Sequence, residues 1–382
     1  MTSLGPVDPT RAVAAAALLP AARAAAAAGG VTRLADVTRL DRLGLPVWQA
    51  VRPISRALSV HQGKGATHAD AQLGALLEAV ESHAAEAFAA EGPVCAFDAL
   101  PERGRAPTIA DFAADRARPP PDEPARWVEA EDLMAGGSVW LPFDLVSLDF
   151  TRAVPSPFDR ASNGVAAGAT RAEATAVALR ELVERDAVTE WKAGGLLACM
   201  ERALDPATVP FDWFGLWRDR IAAAGAAIRC YAVPSLTGTP VFACEINDGG
   251  KDGAPYRAVQ GRGCHPDPEI ALFKAVAEAI QGRATYIAGA RDDLFPDAYG
   301  PRREAAIVVA FGLPLPPDMD GVDFASVAPG RAHHAAEAEA LARAGCGPIG
   351  RVELARPQRL AVVRAFACGL GSMTRRRRAP LR

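Results

Sequence analysis

The chain has 382 residues, enough for one large or two moderate domains, with half of them apolar and 23% charged. A net charge of -3 leaves no electrostatic footprint for nucleic acid or acidic membranes, and no apolar run approaches the ~20 residues of a membrane span. The seven scattered cysteines lack Cys-x-x-Cys spacing, which excludes a zinc knuckle or disulfide framework and suits idle thiols in the reducing cytoplasm.

Residues 12–28 predict a helix. The alanine-rich stretch from Arg11 to Gly30 loosely resembles an export signal, but Pro20 interrupts its short apolar core, Arg23 follows, and Asp8 stands where a signal is basic. A surface or capping helix is expected instead. Val31 to Leu43 continues a helical pattern. Alternation from Val47 to Val60 suits a strand leading to a turn at Gly63-Lys64-Gly65, and Ala69 to Phe88 is a strong helix with Leu73, Leu76, Leu77, Val80 and Ala84 on one face. Pro119-Pro120-Pro121 marks a connection within Pro101 to Pro124. Val139 to Phe150 reads as extended, Ser162-Asn163-Gly164 as a turn and Arg171 to Lys192 as a second strong helix. Ile228 to Pro234 and Pro240 to Ile246 read as adjacent strands, Val259 to Gly263 as a strand and glycine turn, and Pro268 to Ile287 as a third strong helix. Ile307 to Gly350 reads as separate and mostly helical, with a late strand from Arg351 to Phe366. An extended segment, a glycine turn and a long helix thus recur three times, which predicts an α+β fold with α/β-like repeats. The expected parts are an N-terminal helical segment (1–45), a core (46–300) and a C-terminal segment with a basic tail (301–382).

The three helices carry the chemistry. Glu78 and Glu81 lie on the first, Glu181 and Glu184 followed by Arg185 on the second, and Glu278 and Gln281 followed by Arg283 on the third. A spacing of three puts each pair on one helix face. Paired carboxylates can share a hard cation, and Mg²⁺ takes oxygen ligands together with substrate phosphates. Lone Glu-x-x-Glu pairs are common on solvated faces, but their recurrence behind glycine turns points to one shared site. Carboxylates clustered in one pocket require cations for charge balance. Lys64, beside a glycine turn at a helix start, suits a phosphate, although no Walker A loop is present. Gly261-Arg262-Gly263 lacks the third glycine of a dinucleotide fingerprint. His265 is expected to be structural, and Arg375 to Arg378 to be a solvated tail.

The runs Ser59 to Thr67 with Glu78-Ala79-Val80-Glu81, Ser162 to Gly168 with Glu181-Leu182-Val183-Glu184-Arg185-Asp186, and Ala271 to Arg283 with Gly289 to Asp293 resemble the three motifs of the YcaO family. Leu43 to Trp48 ahead of Arg52-Pro53 is similar to the members encoded beside TfuA, which are associated with thioamide formation. The resemblance implies a YcaO-type ATP-binding fold for the core. It implies ATP and Mg²⁺ among the three helices, with Glu78, Glu81, Glu181, Glu184 and Glu278 toward metal. Lys64, Glu173, Arg185, Gln281 and Arg283 would face the nucleotide, and Lys64, Arg185 and Arg283 would also be catalytic. The implied reaction is phosphorylation of a peptide or protein backbone amide oxygen, followed by attack of a sulfur nucleophile. A TfuA-like protein and the peptide or protein substrate are the expected partners, with a homodimer as a further expectation. An azoline-forming cyclodehydratase and a non-catalytic binding module are the alternative readings. Three positions depart from the family pattern: Gly74 in place of serine, Ser82 in place of arginine and Ala169 in place of asparagine. Each is expected to lose a polar contact, and restoring serine at Gly74 and asparagine at Ala169 to tighten ATP binding.

Overall fold

Three times in this chain a short strand runs directly into a long helix that lies back across it. The computed structural model describes residues 3–372, apart from 90, 103–105, 107–108, 113–121, 153–155, 249–256, 300–319 and 332–334. The proline run Pro119-Pro120-Pro121, the tail Arg375 to Arg378 and much of the stretch expected to be helical after Ile307 therefore lie outside the described residues.

Helix α1 (Ala15–Ala28) packs on α2 (His68–Ala87), which follows the antiparallel strands β1 (Arg33–Asp36), β2 (Val47–Val51) and β3 (Val60–Lys64). The central sheet has the order β4 (Val94–Cys95), β5 (Ala125–Asp132), β11 (Ile349–Ala355), β12 (Ala361–Ala367) and β7 (Val165–Gly168), with β6 (Ser138–Pro142) paired to β5. A short helix α3 (Phe143–Val146) follows β6, and β7 leads into α4 (Arg171–Ala193). Helices α5 (Gly195–Met200) and α6 (Asp212–Ala223) precede a third antiparallel sheet of β8 (Ala226–Val233), β9 (Val241–Asp248) and β10 (Arg257–Cys264), which leads into α7 (Pro268–Ala288); α8 (Ala336–Arg343) comes before β11.

The strand-to-helix turns share one local design. Thr67, Thr170 and Asp267 cap their helices by accepting a first-turn N–H on the side chain. Glycine sets the close approach: a Cβ on Gly63 would stand 2.0 Å from the Ala71 carbonyl oxygen, and one on Gly261 would stand 2.1 Å from that of Ala275. Period-two alternation then divides the central sheet between two helices. Val165, Ala167 and Val362 face the core shared with α1 and α2, whereas Ala166, Val363 and Ala365 face the core shared with α4. Helix α2 also borders β7, α4 borders β10 and α7 borders β3, so the three units close into a ring.

Several expectations need correction. Val31 to Leu43 is not helical: β1 pairs with β2, and Thr38–Leu40 forms a single 3₁₀ turn. Pairing with a neighbouring strand outweighs a weak local helical pattern in so short a segment. Val47 to Val60 is not one strand: β2 ends at Val51, β3 begins only at Val60 and pairs antiparallel with it, and Gly63 and Lys64 belong to β3 rather than to a turn. Phe143–Val146 breaks the stretch expected to be extended. Arg351 to Phe366, expected as one late strand, spans parts of two paired strands, β11 and β12, of the central sheet. Helix α6, unforeseen, buries Trp213, Phe214, Trp217 and Ile221.

Candidate active site

The ring of strand–helix units turns the carboxylates of three helices toward a common centre. Glu78 on α2 accepts the Gln62 N–H at 2.6 Å, from the strand of its own unit. Glu81, one turn on, accepts the Ala167 N–H at 2.7 Å, from the strand of the next unit. On α4, Glu181 accepts the Gly164 N–H at 3.1 Å. Arg185 donates to Glu181 at 3.1 Å and is ion-paired with Glu184. Lys64 crosses from β3 to meet Glu278 of α7 at 3.0 Å.

Charge is unevenly compensated across this group. Enclosure by protein raises Glu81 well above the usual carboxylate value, more than the Ala167 hydrogen bond lowers it, and Glu78 and Glu181 add to the rise. Glu78 is raised for the same first reason, although it is exposed at the cavity wall. Burial also raises Glu184, against the pull of Arg185. Glu278 is the exception: burial would raise it, but Lys64, Arg185 and Arg262 together hold it below the usual value. Arg185 is held firmly cationic by its glutamates, which outweigh the effect of burial.

Glu78, Glu81, Glu181 and Arg185 line one cavity of 610 Å³, whose other walls include Ala57, Leu58, His61, Ser82, Leu148 and Phe150. Three of the expected site residues make their contacts outside this group. Glu173 accepts the Ala169 N–H at 3.0 Å and completes the cap of α4 with Thr170. Arg283 is buried and donates to Asp41 at 3.0 Å, tying the N-terminal segment to α7 rather than meeting the carboxylates. Gln281 donates to the Gln62 side chain at 3.3 Å, so it braces β3 against α7.

The three departures also acquire physical content. Ser82 receives a hydrogen bond from the buried Arg52, 3.3 Å away, and Arg52 is ion-paired with Glu86. A guanidinium thus reaches this turn of α2 from the end of β2. Gly74 faces Gly63, where a Cβ would meet the Gly63 Cα at 3.1 Å. Ala169 packs against the apolar cluster of α1 and α2. Sequence reasoning assigned no role to Arg262 or Lys274. Arg262 lies close enough to Arg185, Glu278 and Glu184 for their charges to shift it, and Lys274 is similarly near Glu184. The signals were present: Arg262 sits between two packing glycines, and Lys274 lies one helical turn before Glu278.

Among the described residues no three His, Cys, Asp or Glu side chains converge closely enough to hold a metal ion by themselves. The five glutamates are therefore not one closed protein cage. Glu78 and Glu81, each held by a single backbone N–H, have no cation within ion-pair distance among the described residues. That donor set fits Mg²⁺, which binds through one or two carboxylates and completes its shell with phosphate oxygens and water.

Residues 62–370 match the family model described as YcaO cyclodehydratase, ATP- and Mg²⁺-binding. The chain belongs to the YcaO family. A Rhizobium leguminosarum bv. trifolii protein, described only as uncharacterized and in the tfuA 3' region, is 38% identical over 300 residues, covering 76% of this chain and 70% of its own. A Methanothermobacter thermautotrophicus protein of unassigned function is 32% identical over 276 residues, covering 69% and 68%. The fold is that of YcaO from Methanopyrus kandleri, solved with AMPPCP and Mg²⁺, at a TM-score of 0.73 and 23% identity over 100% of this chain and 97% of that one. A heterocyclase solved with substrate and cofactor has a TM-score of 0.67 at 22% identity, over 90% of this chain and 50% of that one. YcaO enzymes use ATP to modify peptide amides, and ATP and Mg²⁺ are the cofactors here. No helix among the described residues is long and apolar enough to cross a membrane.

Proposed function

We propose that this YcaO protein activates a peptide or protein backbone amide for thioamide formation, working with a TfuA-type protein in the cytoplasm. The observation that carries the reading is the convergence of Glu78, Glu81, Glu181 and Arg185 on one cavity, where Glu78 and Glu81 form no ion pair among the described residues. ATP, when bound with Mg²⁺, supplies the phosphoryl group that makes an amide oxygen a good leaving group. The chain's own part is electrostatic and geometric. Carboxylates from α2 and α4 orient Mg²⁺, while Arg185 and Lys64, already poised on neighbouring glutamates, offset phosphate charge in a partly enclosed site. The thioamide outcome is supported by the tfuA-region description of the Rhizobium relative. Cyclodehydration is the second reading, favoured by the family description itself.

Mass spectrometry of the modified substrate separates the two. Exchange of oxygen for sulfur raises the mass and supports thioamidation, whereas loss of one water identifies cyclodehydration. Calorimetry with ATP tests the shared premise: binding equally tight in EDTA would remove the Mg²⁺-bridged site.

A further inference from the structure

The turn Ser162-Asn163-Gly164, ahead of β7, supplies two polar contacts to the carboxylate group. Its Gly164 N–H is donated to Glu181, and its Asn163 Oδ1 accepts the Arg185 Nε at 3.3 Å. One side of the turn is fixed by the sheet, where the Gly164 carbonyl accepts the Ala365 N–H at 2.8 Å. The other side is loosely packed, because Ala161 and Asn163 line a cavity of 60 Å³ together with Asp159 and Arg364. What holds that side is Arg364 of β12, 4% exposed, whose guanidinium donates to the Ala161 carbonyl.

An uncharged amide could make the same hydrogen bond without burying a charge. The guanidinium gives up its hydration here, and its Nε is buried without a hydrogen-bond partner. Burial pulls its pKa down to about 10, against the attraction of Glu181 and Asp159, so it remains cationic at neutral pH. Glu181 therefore has Arg185 in contact and Arg364 close enough for its charge to be felt. A buried cation that adds so little to stability, set behind the turn that orients two site residues, has its consequence at the site.

We propose that Arg364 is a positioning residue for the ATP-dependent step. By holding the Ala161 carbonyl it keeps the turn where Asn163 meets Arg185 and Gly164 meets Glu181. It acts through these two residues and is not itself catalytic. The proposal rests on the reading of Arg185 and Glu181 as part of the Mg-ATP site.

The test measures Mg-ATP binding by calorimetry, together with the melting temperature, for the unaltered full chain and four variants: Arg364→Met, Arg364→Lys, Asn163→Ala and the Arg364→Met/Asn163→Ala double variant. Methionine keeps an unbranched apolar stem without the charge or the donor. It should weaken Mg-ATP binding about tenfold in a folded protein, the order expected for one lost hydrogen bond. Lysine restores a cationic donor and should recover most of that loss. Asn163→Ala should weaken binding on its own, and the Arg364→Met loss should shrink in its background, because both act on Arg185. Unchanged affinity in folded Arg364→Met overturns the proposal. A full second loss in the double variant also overturns it, since the two residues would then act independently. Should Arg364→Met fail to fold, Asn163→Ala still decides, because its side chain is only half-buried. Parental affinity there would mean that the link to Arg185 carries nothing. An unaltered chain that binds no Mg-ATP would sink the ATP reading and this proposal together, a result that involves no variant.

Discussion

Gly74→Ser sets two effects of opposite sign against each other. In a helix interior serine is favoured over glycine by about 0.5 kcal/mol, so propensity alone predicts a more stable protein. The structure adds the opposing effect. A Cβ at position 74 would stand 3.1 Å from the Gly63 Cα and 3.7 Å from the Lys64 nitrogen. The helix has no slack to retreat as a unit, because Gly63 already lies against the backbone of Ala71 and Ala75, and the Gln62 N–H is held by Glu78 at 2.6 Å. Overpacking of this kind costs about 1–3 kcal/mol. The crowding wins, and the net effect is a loss of about 1 kcal/mol, the difference between these two magnitudes. Because the displaced strand carries Lys64, Mg-ATP binding should weaken rather than tighten. Thermal denaturation and calorimetry on the same preparation measure both quantities. A higher melting temperature together with tighter Mg-ATP binding would refute the reasoning and show that β3 and α2 separate easily.

Glu184→Gln should abolish ATP turnover while leaving the melting temperature within a few degrees of the parent; turnover at the parental rate would reduce Glu184 to a structural partner of Arg185. Glu86→Ala leaves the buried Arg52 guanidinium without its carboxylate, and should cost about 3–5 kcal/mol in denaturant unfolding. The raised values of Glu78, Glu81 and Glu184 mean that their contribution to stability is full below the usual carboxylate pKa and is lost as pH rises through their folded values. Glu81→Gln should therefore flatten the fall in melting temperature of the nucleotide-free protein as pH rises above the usual carboxylate range; an identical pH profile in the variant would contradict the raised value.

Local pattern along the chain specified the three long helices almost to the residue, because each pairs a side-chain cap with a sustained apolar face: Thr67 ahead of Leu73, Leu76 and Val80, and Asp267 ahead of Ile270 and Ile280. It determined the carboxylate pairs as well, since spacing along a helix fixes which side chains share a face. It did not determine β1, whose short segment carries a helical pattern and becomes a strand only because β2 is there to pair with it. The separate roles of Arg185 and Arg283, similar on paper as basic residues behind an acidic pair, were likewise outside its reach. Arg185 meets Glu181 and Glu184, whereas Arg283 finds Asp41, far away in the chain. Nor could spacing show that Glu81 takes its hydrogen bond from the strand of the next unit, or that Arg52 stands behind Ser82. Local pattern is written along the chain within a few residues, but the partner of a buried charge is chosen by the closure of the ring, which joins residues from separate units.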